Sequence, residues 1–133
     1  MKICAIILSA GKSKRFKSSI PKFMHNLSGL PIVDYNINIL KKIKKITKFE
    51  IISNKENLNY FQDKGYSPFK QNPVDGTGGA VKQFYKKNNK YDYYLVMLAD
   101  TPVFDHKVIS NFLNKAVKTN SDISVLSQNI SNP

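Results

Sequence analysis

The chain has no tryptophan, one cysteine, one arginine and only nine acidic residues against 21 lysines and arginines. Each shortage excludes something. A lone Cys4 cannot form an internal disulfide, which points to a reducing cytoplasm, and its place inside an apolar run reads as a buried, inert thiol. The N-terminal run Ile3 to Leu8 is six residues long. That is too short for a signal-peptide core of roughly 7–15 residues or a membrane helix of about 20. It also lies directly before basic residues. His25 and His106 have no metal-ligand spacing to each other or to Cys4. The first glycine loop lacks the G-x-x-x-x-G-K-[ST] spacing of a P-loop, and the dinucleotide pattern G-x-G-x-x-G is absent.

What is present is positive charge and an alternating pattern of elements. The net charge is +12 over 133 residues, which are 41% apolar, enough for the core of one domain or part of one. The lysines are scattered through helices and loops without an aromatic-basic motif, which argues against nucleic acid as the main partner. Ile3 to Leu8 reads as a strand covered on both faces. Ser9 to Pro31 reads as a long loop. Val33, Ile37, Leu40 and Ile43 recur at helical spacing within an amphipathic helix over Ile32 to Ile46. Phe49 to Ser53 reads as a second strand, Lys55 to Lys64 as a weak polar helix, and Gly65 to Gln71 as holding a short third strand. Asn72 to Gly79 is a turn before a helix near Ala80 to Lys87. Tyr93 to Leu98 is a fourth strand. Asp105 can cap a helix that carries Val108, Ile109, Phe112, Leu113, Ala116 and Val117 on one face. Ile123 to Leu126 reads as a fifth strand.

Repeated strand–helix–strand units predict an α/β fold, a three-layer, mostly parallel Rossmann-like sheet. In such sheets ligands bind beyond the carboxyl ends of strands, where the strand order reverses. With the first strand central, the second lies on one side and the fourth on the other. The loop after the first strand then meets Asp100, which follows the fourth. That loop, Leu8-Ser9-Ala10-Gly11-Lys12-Ser13-Lys14-Arg15, continues to Pro21-Lys22. Small residues and cations after a strand suit an anionic, phosphate-bearing ligand. A carboxylate across the crevice suits a metal shared with those phosphates. The bland readings are a solvated lysine loop, and Asp100 in Asp-Thr-Pro as a turn residue.

These segments also carry a resemblance. Leu8-Ser9-Ala10-Gly11 through Arg15, then Pro21-Lys22 and His25, Gly29-Leu30-Pro31, Gln71 through Gly76-Thr77-Gly78, and Leu98-Ala99-Asp100 stand in the order and at the spacing found in sugar-nucleotide pyrophosphorylases. The chain resembles, over essentially its whole length, the N-terminal domain of the bacterial bifunctional N-acetylglucosamine-1-phosphate uridylyltransferases. It departs from that pattern at Ser13, Lys14, Ala99 and Gly79, where the family commonly has glycine, threonine, glycine and histidine.

The resemblance implies a cytoplasmic nucleotidyltransferase serving UDP-N-acetylglucosamine and peptidoglycan synthesis. It implies that Leu8, Ser9, Ala10 and Gly11 cradle the nucleotide, that Gln71 meets the uracil, and that Gly76 and Thr77 flank base and ribose. Leu98 and Ala99 complete the binding wall. Arg15 and Lys22 hold the triphosphate and act in catalysis, and Asp100 binds Mg²⁺. The substrates would be UTP and a sugar 1-phosphate. Residues 1–133 would be the nucleotide-binding part of the domain, ending before the family's Gly-Tyr-Gly-Arg segment and before its trimerising acetyltransferase domain. No oligomeric state follows. The alternatives are an NTP transferase for another sugar phosphate or of the molybdenum-cofactor type, and a basic anion-binding module without catalysis.

Overall fold

The computed structural model describes residues 1–11, 16–103 and 105–127. Its centre is β1 (Ile3–Leu8), every residue of which is buried. It is paired in parallel on both sides, with β4 (Ile46–Ser53) and with β6 (Tyr93–Leu98). A two-residue strand β5 (Phe69–Lys70) extends the sheet beyond β4, so the order is β5-β4-β1-β6, all parallel. Between β1 and α1 (Ile32–Lys42), a two-stranded antiparallel hairpin joins β2 (Asn26–Leu27) to β3 (Leu30–Pro31). The remaining helices are α2 (Leu58–Asp63), α3 (Gly76–Lys87) and α4 (His106–Thr119).

The two-residue period of β1 divides the core into two. Ile3, Ala5 and Ile7 join Val33, Ile37 and Leu40 of α1, Phe61 of α2, and Ile109 and Leu113 of α4. Cys4, Ile6 and Leu8 face the other way, against Ala80 and Phe84 of α3. Helices on both faces of a parallel sheet make the expected three layers. Burial of each such aliphatic side chain contributes about 1.5–3 kcal/mol, so a strand buried on both faces is the main source of cohesion.

Several boundaries differ from the expectation, each for a local reason. The first helix ends at Lys42, because Ile43 turns extended (φ −97°, ψ 100°) and Ile46 already begins β4. The polar helix splits into a 3₁₀ turn, Lys55–Asn57, and α2, with the Asn54 side chain accepting the Asn57 N–H at the break. The turn at Gly76–Gly79 is already helical: α3 starts at Gly76, whose φ of +90° is open to glycine. The expected fifth strand is absent. Residues Ile123 to Leu126 pair with no strand, and Ile123 and Val125 are 85% and 81% exposed. Asn120, left-handed at φ 48°, stops α4 and turns the chain away. β-Branched residues favour a strand only where a neighbouring strand receives them. Among the described residues no helix is long and apolar enough to cross a membrane.

Burial, helped by the nearby Glu50 charge, pushes the Cys4 thiol up to about 11. A raised thiol pKa in the folded chain gives stability that is complete below the unfolded value and is lost as pH rises through the folded one. At pH 8, an aromatic disulfide reagent should therefore modify the native chain on the order of a hundredfold more slowly than the urea-unfolded chain, from thiolate population alone. Equal rates in the two states would contradict the buried placement.

Candidate functional site

The carboxyl ends of β1 and β6 are in register, Leu8 beside Leu98, and the Ala99 N–H donates to the Leu8 carbonyl at 3.0 Å. One residue further along β1 the pairing passes to the other side. The Ser9 N–H and Oγ both donate to the Ile52 carbonyl of β4, at 2.8 and 2.9 Å. Here the chain leaves the sheet between two strands reached by opposite crossovers, the place where parallel sheets open a crevice.

A cleft of about 350 Å³ lies there. Leu8, Ser9, Ala10 and Gly11 form one wall. Leu98, Ala99 and Asp100 form a second. Gln71, Val74, Gly76, Thr77 and Ala80 form the third, and Phe23 also contributes. Ten of the residues singled out in the sequence thus meet in one cavity. Lys22 does not line it; it opens the 3₁₀ turn Lys22–Met24, one residue before Phe23. Arg15 lies outside the described residues. His25 braces the same long loop, with its Nε2 at 2.9 Å from Ser18 Oγ and its ring edge-on to Phe16.

Buried amides hold the walls, and the sequence reading passed over them. Asn54 Nδ2 donates to the Ala10 carbonyl at 2.9 Å and Asn57 Nδ2 to the Ser9 carbonyl at 3.1 Å. Both side chains are almost fully buried. They take up two carbonyl oxygens that would otherwise stand unpartnered beside the cleft. Asn36 lies fully buried on the apolar stripe of α1 and bonds to the Leu98–Val103 segment. The one available signal was an asparagine at a core position of an amphipathic helix, where a polar side chain needs partners.

The third wall has its own bracing. Gln71, 2% exposed, donates from Nε2 to Asp75 Oδ1 at 2.8 Å and to the Gly76 carbonyl at 3.1 Å. Gln83 of α3 donates to the Pro73 carbonyl and to Asp75 Oδ1, and accepts the Asn72 N–H. Both amide hydrogens of Gln71 are committed, so Oε1, an acceptor, is the group left for a ligand.

Asp100 is half-buried, and among the described residues its carboxylate has no hydrogen-bond or ion-pair partner. Also among the described residues, no three His, Cys, Asp or Glu side chains gather into a metal cage. A single open carboxylate fits Mg²⁺, which takes one or two carboxylates and completes its shell with water and substrate phosphates. It does not fit a cation held wholly by protein.

A family model described as the MobA-like NTP transferase domain matches residues 5–131. The chain belongs to that family. It is also 33% identical to the bifunctional protein GlmU of Buchnera aphidicola subsp. Schizaphis graminum over 133 residues, which is 98% of this chain and 28% of that protein. It is 31% identical to GlmU of Baumannia cicadellinicola, covering 100% of this chain and 30% of the relative. The chain thus spans less than a third of the length of these relatives. Among solved structures, CMP:2-keto-3-deoxy-manno-octonic acid synthetase complexed with CTP superposes with a TM-score of 0.73 at 14% identity, over 91% of this chain and 49% of the other. The bifunctional IspDF of Campylobacter jejuni gives 0.70 at 18% identity, over 89% and 31%. At such identities the likeness is one of fold.

Gly79 stands where a side chain would break the bracing: a Cβ there would lie 1.9 Å from Asp75 Oδ1. Gly79→Ala should push the carboxylate off Gln71 at a net cost of no more than about 1 kcal/mol, the lost hydrogen bonds being partly offset by the gain of alanine over glycine inside a helix, read as the midpoint of urea unfolding. In an Asp75→Ala background the same change should cost much less. Equal costs in both backgrounds would contradict the assigned contact.

Proposed function

We propose that the chain binds UTP with Mg²⁺ and takes part in transfer of UMP to a sugar 1-phosphate, N-acetylglucosamine 1-phosphate being the favoured acceptor. The observation that carries this reading is the in-register pairing of Leu8 with Leu98, which sets the glycine loop and Asp100 at one cleft. Family membership supports nucleotidyl transfer. The GlmU likeness supports a sugar 1-phosphate as acceptor.

Gln71 bears on the identity of the base. With Nε2 held by Asp75 and Gly76, Oε1 accepts from a ligand N–H. Uracil offers N3–H at that edge, whereas cytosine has an acceptor at N3 and would have to present its N4 amino group instead. A CTP reading draws on the CTP named for one of the structural neighbours.

In the proposed reaction an oxygen of the sugar 1-phosphate attacks the α-phosphorus of UTP in line. The new O–P bond forms as the bond to the bridging oxygen of pyrophosphate breaks, and pyrophosphate leaves with that electron pair. The backbone at Ala10 and Gly11 and the first turn of α3 at Gly76 and Thr77 hold the nucleotide at the cleft. Lys22 and Arg15 would hold the phosphates and offset charge that builds in the transition state. Asp100 would hold Mg²⁺, which when bound neutralises phosphate charge.

Titration calorimetry tests this. UTP should bind more tightly with Mg²⁺ than in EDTA, and more tightly than CTP. Asp100→Ala should abolish the Mg²⁺ effect, and Lys22→Ala or Arg15→Ala should each weaken binding about tenfold, as loss of a charge-assisted bond does. No UTP binding with or without Mg²⁺ overturns the reading. Salt-sensitive binding of DNA or RNA unchanged by Asp100→Ala would instead favour a basic nucleic-acid-binding module.

A further inference from the structure

Among the described residues no side chain partners Asp100, and what fixes the place of its carboxylate there is its backbone. That backbone is the segment from Leu98 to Val103, where β6 has ended and α4 has not begun. Just past the end of β6, the Ala99 N–H still bonds to the Leu8 carbonyl at 3.0 Å. Beyond it the Thr101 N–H reaches back to the Leu98 carbonyl at a long 3.3 Å.

A single side chain from another layer closes this segment. Asn36, 0% exposed, donates from Nδ2 to the Leu98 carbonyl at 2.9 Å and to the Thr101 carbonyl at 3.0 Å. Its Oδ1 accepts the Val103 N–H at 3.0 Å. The contacts fall on both sides of Asp100 and use both amide hydrogens and the carbonyl oxygen. They demand two donors and an acceptor on one short planar group, which only a carboxamide supplies. A leucine of similar size would leave the Thr101 carbonyl and the Val103 N–H without this partner, and the Leu98 carbonyl with only the long bond from the Thr101 N–H. An aspartate would set its charge against two carbonyl oxygens.

We propose that Asn36 is the positioning residue for Asp100: a buried amide on α1 that holds the Leu98–Val103 segment so that the carboxylate stands ready for a divalent cation at the cleft. This rests on the functional reading above, in which Asp100 is the metal ligand. Partners that orient a metal ligand typically carry 10–100-fold in metal affinity. Asn36 acts on the ligand's backbone, so the lower figure applies.

The test compares UTP affinity in Mg²⁺ with that in excess EDTA by calorimetry, the ratio being the metal enhancement. Asn36→Leu should reduce the enhancement about tenfold while the affinity in EDTA stays within about twofold of the parent. A merely structural defect would lower both affinities together, and that result overturns the proposal. So does an unchanged enhancement in Asn36→Leu where Asp100→Ala abolishes it; the functional reading then stands without Asn36. If Asp100→Ala also leaves the enhancement intact, the functional reading fails and takes the Asn36 assignment with it. Where Asn36→Leu does not fold, Asn36→Ser, whose hydroxyl is too short to make these bonds, is titrated the same way against the same outcomes.

Discussion

The pairing of β1 with β6 is the constraint on which the site depends. Leu8 and Leu98 are 90 residues apart in sequence but side by side in the ladder, and the Ala99 N–H to the Leu8 carbonyl is the final rung. Two loops with no local reason to meet therefore open at one rim. The pairing is strong because β1 is apolar throughout and is clasped between two parallel neighbours, with each face of the strand feeding a separate core. A register slip of one residue would exchange those cores and set every β1 side chain in the wrong layer. The geometry of the cleft is thus protected by the hydrophobic effect at a distance from it.

Above the rim the work passes from apolar side chains to buried amides. Asn54 and Asn57 hold the Ser9 and Ala10 carbonyls, Asn36 holds the segment around Asp100, and Gln71 and Gln83 meet at Asp75. Burying an ionised brace would cost more than its hydrogen bonds return, and the one carboxylate among these braces, Asp75, is exposed. A carboxamide supplies donors and an acceptor without net charge, at the cost of exact geometry.

That dependence explains which features were legible in the sequence. The alternation of apolar runs and amphipathic stretches is a one-dimensional pattern, and from it came the layers, the central place of Ile3 to Leu8 and the meeting of Gly11 with Asp100. The small-residue loop was legible from its residue types after a strand, whereas Gln71 and Gly76-Thr77 were singled out through the family resemblance. Asn54 and Asn57 were not legible, because each acts on backbone more than 40 residues away and nothing local distinguishes it from an ordinary polar residue, while Asn36 left one trace, its place on the apolar stripe of α1, that does not name its partners. The fifth strand was misread for the complementary reason. Ile123, Val125 and Leu126 have the right composition, but a strand also requires a neighbour, which composition does not report. Lys22 sits beside the cleft wall, because cations near a loop in sequence need not line the cavity it forms.

Convergence of the two loops on one ligand is tested most directly by titrating the ¹⁵N-labelled chain with UTP and Mg²⁺ and following backbone amides by NMR. The amides of Ala10, Gly11, Ala99 and Asp100 should shift together along one saturation curve, while those of Lys44 and Lys45 at the other end of the sheet stay still. Shifts confined to one of the two loops, or centred on the lysines between α1 and β4, would contradict the account.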